Sequence, residues 1–288
     1  MAEPAPRSPA VAGAFYPASG QELAQMIEAC FRDRRGPGDL PPRQRLPTRS
    51  LEGAVVPHAG YQFSGAIAAH AYAVIAAQKP PATVLVLGVD HHGVSRGASL
   101  SNRPWLTPLG PTAVDHDLVR RLNAGPIEID EGAQAREYSI EVQLPFLEYV
   151  VPKPRFVALE VGYGPFEFLD EVGGIVGEAI RDQDVLLLAS SDFSHYVSPA
   201  TADRLDHLAI AQILARDPRG LYDTVRRHRI SMCGIAPTTV MLSAMRGRAV
   251  TGRLLRWGHS GEVEPMDEVV GYAAIALERD ADRPSAAR

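Results

Sequence analysis

Cysteine is almost missing from this 288-residue sequence: Cys30 and Cys233 are the two present. They leave room for one disulfide between them but exclude a disulfide-built scaffold. Lysine is as rare, with Lys79 and Lys153 alone, so nearly all basic charge is arginine, which reads as codon bias before function. Basic charge is not in excess either. Lys+Arg is 29 against 34 Asp+Glu, a net charge of −5, which removes any global attraction to nucleic acid or an anionic membrane surface. No apolar run approaches the ~18 residues of a membrane span. The opening Met1-Ala2-Glu3-Pro4 leads into polar, Pro-rich sequence without the apolar stretch of a signal peptide, so the expected compartment is a reducing cytoplasm. Also missing are the His-Glu-x-x-His helix of zinc proteases, any Cys-x-x-Cys pair and a phosphate-binding glycine loop; Gly13 and Gly20 are too isolated to form a dinucleotide loop. A hydrophobic share of 45% with 22% charged residues excludes a largely disordered chain, a collagen-like repeat and a bare coiled coil.

What remains is an alternation of short apolar runs and helical segments. Residues 1–9 and 281–288 are rich in Pro, Ala, Ser and charge and are expected to fray, leaving one domain over 10–280. A helix is expected over Gln21–Phe31 with Ser19 as its cap, and a loop over Arg34–Ser50. Strands are expected at Gly53–Val56, Thr83–Leu87, Phe156–Val161, Val185–Leu188, and near Leu254 and Tyr272, with a looser β-rich stretch over Ala98–Pro111. Helices are expected at Ser64–Ala77, Asp115–Asn123, Glu137–Tyr149, Phe168–Arg181, Arg204–Ala215, Pro218–His228 and Thr238–Met245. Strands alternating with helices argue for an α/β fold with a substantially parallel sheet flanked by helices. Apolar strands without alternation fit a sheet covered on both faces.

Three strands run into polar, His-bearing loops: Val56 into Pro57-His58, Leu87 into Asp90-His91-His92, and Leu188 into Asp192 and His195. Ligands of open α/β sheets lie beyond the carboxyl ends of strands, so the three loops point to one crevice. His70, His116, His207 and His228 sit within helical segments and read as structural. Cys233 precedes a helix, where the free N–H groups and the dipole lend a thiol thiolate character. Two histidines and this cysteine make a three-ligand set for Fe, Cu or Zn with positions left open. His195 and Asp192 are then candidates for acid–base catalysis.

Six segments, in order, carry a resemblance. Ala12-Gly-Ala-Phe15-Tyr16-Pro, Pro57-His58-Ala-Gly-Tyr61, Gly88-Val-Asp-His91-His92, Glu137-Tyr-Ser-Ile-Glu141, Ser190-Ser-Asp192-Phe-Ser-His195 and Cys233-Gly resemble the Memo family, whose prokaryotic members are called AmmeMemoRadiSam system protein B. The resemblance implies a fold like that of class III extradiol dioxygenases. It implies His58, His91 and Cys233 as metal ligands, with Fe(II) or Cu as the metal and Zn as a further possibility. It also puts His195 and Asp192 on the same pocket. His92, Tyr61, Glu137, Tyr138 and Glu141 lie in the matching motifs and are expected to line the pocket or support its ligands. Where the family usually reads Glu-His-Ser, this chain reads Glu137-Tyr138-Ser139; a phenol donates a hydrogen bond but is a poor base at neutral pH. The expected function is a metal-dependent, dioxygenase-like redox enzyme acting on an unknown small molecule or peptide. The alternatives are a peptide- or phosphopeptide-binding module, for which Arg96 and Arg136 are the arginines nearest the motifs, and a metal-assisted hydrolase. Partners implied by the family's name are AMMECR-type and radical-SAM proteins.

Overall fold

Strands that are apolar at successive positions must be covered on both faces, and the computed structural model, which describes residues 5–280, contains such a sheet. The chain passes through α1 (Gly20–Arg32), β1 (Leu51–Val56), α2 (Tyr61–Ala77), β2 (Thr83–Val89), β3 (Ala98–Leu100), β4 (Trp105–Thr107), β5 (Gly110–Val114), α3 (His116–Leu122) and β6 (Ile127–Ile129). It continues through α4 (Glu131–Gln134), α5 (Leu144–Val150), β7 (Arg155–Val161), α6 (Phe166–Ala179), β8 (Val185–Ser190), β9 (His195–Val197) and α7 (Pro199–Ala215). It ends with α8 (Pro218–His228), α9 (Ile235–Ala244), β10 (Val250–His259) and β11 (Val269–Arg279). The sheet order is β10-β11-β1-β8-β2-β7-β3-β6, with β4, β5 and β9 attached to its sides.

The sheet is mixed rather than substantially parallel. Its centre, β1-β8-β2-β7, is parallel. On one side β11 runs antiparallel to β1 and β10 antiparallel to β11; on the other β3 runs antiparallel to β7. Burial explains why the sequence hides this: β11 is apolar through Tyr272–Leu277 and as buried as the parallel strands, and burial carries no sign of strand direction. The four central strands are parallel, so their carboxyl ends, and the loops carrying His58, His91, Tyr163 and Asp192, emerge on the same side of the sheet. Helices α1, α2 and α5 pack on one another, as do α6, α8 and α9. Among the described residues no helix is long and apolar enough to cross a membrane.

Several boundaries move for local reasons. Helix α7 begins at Pro199, not Arg204: Ser198 caps it by accepting from the Thr201 amide, and proline suits the first helical turn. The stretch 137–149 is not one helix. Residues 137–140 form a turn, Glu141–Gln143 a 3-10 turn, and α5 starts only at Leu144, with Pro145 in its first turn. The turn lies against β2 where Gly88 has no side chain; a Cβ there would stand 2.4 Å from Ile140.

Within residues 1–9, expected to fray, Arg7 is held in place; residues 1–4 and 281–288 lie outside the described ones. The Arg7 guanidinium is buried and sits 3.9 Å above the Trp105 ring. It donates to the Gln134 carbonyl (2.8 Å), the Glu137 carbonyl (2.6 Å) and the Glu141 carboxylate (2.7 Å). Glu141 also accepts from the Ala10 and Val11 amides and the Tyr16 hydroxyl. Every oxygen of this buried carboxylate is therefore matched, the condition under which a buried ion pair is tolerated. It fastens the start of the chain to the 137–141 turn.

Removing one partner of a buried pair strands the other, at a cost of about 3–5 kcal/mol. Arg7→Ala is expected to lower the unfolding free energy by about that much in urea titrations. A loss under about 1 kcal/mol would mean that the clasp does not hold the turn.

Candidate metal centre

The chain leaves β1 through Pro57 into His58, whose buried ring faces the sheet's carboxyl end. Its backbone N–H donates to Asp192 Oδ1 at 2.8 Å. Its Nδ1 lies 2.9 Å from Ser190 Oγ. That hydroxyl donates its one proton to the Ser139 carbonyl (2.7 Å) and accepts from Gln143 Nε2 (2.7 Å). A serine hydroxyl has one donor and two acceptor positions, so Nδ1 of His58 must carry the proton. Nε2 is left as a lone pair, and it faces the Cys233 Sγ at 3.3 Å. Burial pushes the His58 pKa down to about 4, against the pull of the Asp192 charge, so the ring is neutral at pH 7.

His91 is prepared the same way by a different partner. Its Nδ1 lies 2.9 Å from Glu137 Oε1, and its amide donates to Oε2 at 2.9 Å. The Tyr138 and Ser139 amides also donate to Oε1. Burial alone would raise the Glu137 pKa, but the His91 bond and these amides overcome it and hold it at about 2. An ionised carboxylate accepts only, so His91 also bears its proton on Nδ1 and presents Nε2. Carboxylate–histidine pairing of this kind fixes ring and tautomer in metal sites. Tyr138 stacks on the His91 ring at 4.6 Å and 4°, and the His58 ring stands edge-on to both.

The third arm is Cys233, ahead of α9. Gly234 lets this loop approach β8 closely: a Cβ there would meet Ser191 at 2.2 Å. The Asp192 amide donates to the sulfur at 3.3 Å. The expected thiolate character is not present in the bare site: burial first, then the Asp192 charge, push the thiol pKa well up. Both cysteines are free; Cys30 is buried away from the site, its thiol directed at the Tyr61 carbonyl.

One ligand atom from each of His58, His91 and Cys233 lies within 4.8 Å of the others. Bonds of roughly 2.0–2.3 Å put two donors on one ion roughly 3.5 Å apart in tetrahedral geometry and at most ~4.6 Å apart. The Cys233–His58 distance of 3.3 Å is already of that size. The donor set fits a metal that accepts imidazole and thiolate together.

The other expected residues divide. His195 lines the same cleft as His91, Tyr138 and Cys233. Its Nδ1 lies 2.8 Å from two carbonyl oxygens, of Phe193 and Ser231, so it donates there and leaves Nε2 open. Carbonyls therefore orient His195, while Asp192 accepts from the His58 backbone amide. His92 is exposed, with Nε2 3.2 Å from the Arg136 carbonyl. Tyr61 points into the core, its hydroxyl on the Val142 carbonyl and its ring against Tyr16 and Phe146. Glu141 supports no ligand: both its oxygens are engaged in the Arg7 clasp. Its expected supporting role came from its place in the Glu137–Glu141 motif, and the motif's end is turned to the Arg7 side instead. Residues not anticipated from the sequence are Gln143, Tyr163, Tyr196, Arg226 and Arg229. Tyr163 was within reach of the strand-end rule, because it follows β7 just as His58 follows β1.

The Memo-like protein family model matches residues 7–276. The MEMO1 family protein of Methanopyrus kandleri is 42% identical over 281 residues, covering 95% of this chain and 99% of its own. That of Methanococcus maripaludis strain C5 is 38% identical, covering 94% and 99%. The crystal structure of an uncharacterized protein from Escherichia coli K12 superposes with a TM-score of 0.53 at 15% identity, covering 79% of this chain and 99% of its own; this likeness concerns the fold alone.

The buried rings and carboxylates give the metal-free protein a defined acid response. His58 resists protonation when folded and takes its proton first when unfolded. Its contribution is complete above the ordinary value of 6.5 and is lost as pH falls toward 4. Glu137 contributes above its ordinary 4.5 and loses that as pH falls toward 2. In urea titrations of metal-free protein between pH 7 and 4, His58→Asn is expected to lose less stability than the parent, by roughly 3 kcal/mol. Equal slopes would show that His58 titrates normally.

Proposed function

The chain belongs to the Memo-like protein family, and from that premise we propose that it is a dioxygenase-like redox enzyme holding Fe(II) or copper on His58, His91 and Cys233. The observation that carries this reading is the pair of imidazoles whose Nδ1 atoms are tied down and whose Nε2 atoms are left, with the Cys233 sulfur, within 4.8 Å of one another. When bound, such an ion supplies redox chemistry and Lewis acidity at the face the protein leaves open.

The protein's own groups have separable tasks. Glu137 and Ser190 hold the two rings, so little side-chain freedom remains to be lost when a metal arrives. The Cys233 thiol gives up its proton on ligation. His195, with Nε2 open to the cleft, accepts or delivers a proton at that atom. Tyr138, its pKa raised by burial and by Glu137, stays a neutral phenol and serves as a hydrogen-bond donor and a ring wall. The cleft over the ligands, roughly 730 Å³, has the size of a small-molecule site.

Metal analysis of the full-length chain, purified without oxygen or a His-tag, tests the reading. Near-stoichiometric Fe or Cu is expected, falling at least tenfold in the His58→Ala, Cys233→Ser double variant. Zinc alone would favour a hydrolytic or structural centre. No metal in folded protein, even after Fe(II), Cu(I) or Zn(II) is added, would overturn it in favour of a binding module. Glu137→Gln keeps the shape but removes the charge behind His91, and is expected to weaken metal affinity about 10–100-fold by competition with a chelator. Unchanged affinity would show that Glu137 does not support His91 as a ligand.

A further inference from the structure

The cleft that opens onto His91 and Cys233 is unequal in its charge. The residues lining it include two arginines, Arg226 and Arg229, and no acidic residue. Both arginines are exposed. Among the described residues neither forms an ion pair or donates a side-chain hydrogen bond. Arg226 lies over the Tyr222 ring at 5.4 Å. The two carboxylates beneath the site, Glu137 and Asp192, are buried and engaged with His91 and with the His58 amide, so neither pairs directly with a rim arginine.

Basic residues at the end of a helix often do no more than face its dipole. A second observation separates this rim from that case. Tyr196, in β9, has φ +56° and is 75% exposed, and it is one of the residues lining the same cleft. A bulky non-glycine residue in the left-handed region is a genuine outlier, and such strain clusters where ligands are held. The surroundings enforce it: β9 pairs with β11 on either side of Tyr196, and the His195 amide donates to Ser231 Oγ at 2.7 Å. The fold thus keeps a large ring in water at the mouth, where solvent gives it no reason to stay. Tyr163 repeats the pattern, 62% exposed with its hydroxyl on the Cys233 carbonyl at 3.2 Å. Tyr138 supplies a third ring, stacked on His91.

We propose that this cleft recognises a small organic carboxylate with a ring-sized apolar body, its carboxylate held by Arg226 and Arg229 and its body against Tyr138, Tyr163 and Tyr196. The assignment rests on the reading of the cleft as the substrate site of the metal centre. Guanidinium–carboxylate pairing provides the charge selection, tyrosine rings give contact area at low entropic cost, and a cleft of roughly 730 Å³ suits a small molecule.

Benzoate is the probe, with benzamide as its uncharged counterpart. Binding to full-length, metal-free protein is measured by calorimetry and ligand-observed NMR, so that coordination to a metal cannot account for it. Benzoate is expected to bind at least tenfold more tightly than benzamide, and to weaken as salt is raised. The Arg226→Gln, Arg229→Gln double variant should lose at least tenfold in benzoate affinity with benzamide unaffected and an unchanged melting temperature. Tyr196→Gly, which relieves the backbone, should weaken both probes while raising the melting temperature. Equal binding of the two probes, or benzoate affinity surviving loss of both arginines, overturns the proposal even if the wild type carries stoichiometric metal. Benzoate selectivity in a protein that takes up no metal would instead leave the anion site standing and remove the metal reading.

Discussion

Four donors converge on the carboxylate of Glu137, and the rest of the site is arranged around that convergence. Its oxygens receive the His91 ring, the His91 amide and the amides of Tyr138 and Ser139. The first two come from the loop after β2, the last two from the turn that crosses it. One charged group in the interior therefore joins two segments distant in sequence, and a buried charge persists only when its hydrogen-bonding capacity is filled in this way. The same bonds lay the Tyr138 ring parallel to the His91 ring. They also keep 137–140 out of a helix, because amides engaged by the side chain of Glu137 are captured locally.

Around this joint the protein separates support from reactivity. Each of the two clustered histidines has its Nδ1 proton committed to a fixed acceptor, one neutral (Ser190) and one charged (Glu137). Burial keeps His58 neutral, as a ligand must be. The Arg7–Glu141 pair acts at one remove: it touches no ligand but clamps the turn from behind, with its own charges balanced. Two buried carboxylates four residues apart thus have different work, one fixing an imidazole and the other fixing the backbone that carries the first.

The location of the site was legible in the sequence because it follows from topology. Loops at the carboxyl ends of parallel strands converge whatever the details, and His58, His91 and Cys233 meet there. What escaped depended on side-chain direction. Glu141 shares a motif with Glu137, yet its carboxylate turns to Arg7 and the start of the chain. Tyr61 sits beside His58 in sequence, yet as the first residue of α2 it turns into the core. Strand direction was hidden because β11 is as apolar and buried as its parallel neighbours. Arg226 and Arg229 look like ordinary solvated residues of a helix end, and only the path from α8 into Cys233 reveals that they rim the cleft.

The wide spacing of the ligand atoms also bears on how the chain is made. His58 and Cys233 are 175 residues apart, and β1, which leads into His58, is flanked by β8 and β11, both later in the sequence. A nascent chain emerging at roughly 5–20 residues per second offers isolated imidazoles long before it offers a thiol beside them. Most of the sheet must close before the three atoms meet. For the proposed metal centre, selection among ions is thereby deferred from the ribosome to the finished fold, where geometry rather than raw thiol affinity would decide which ion is retained.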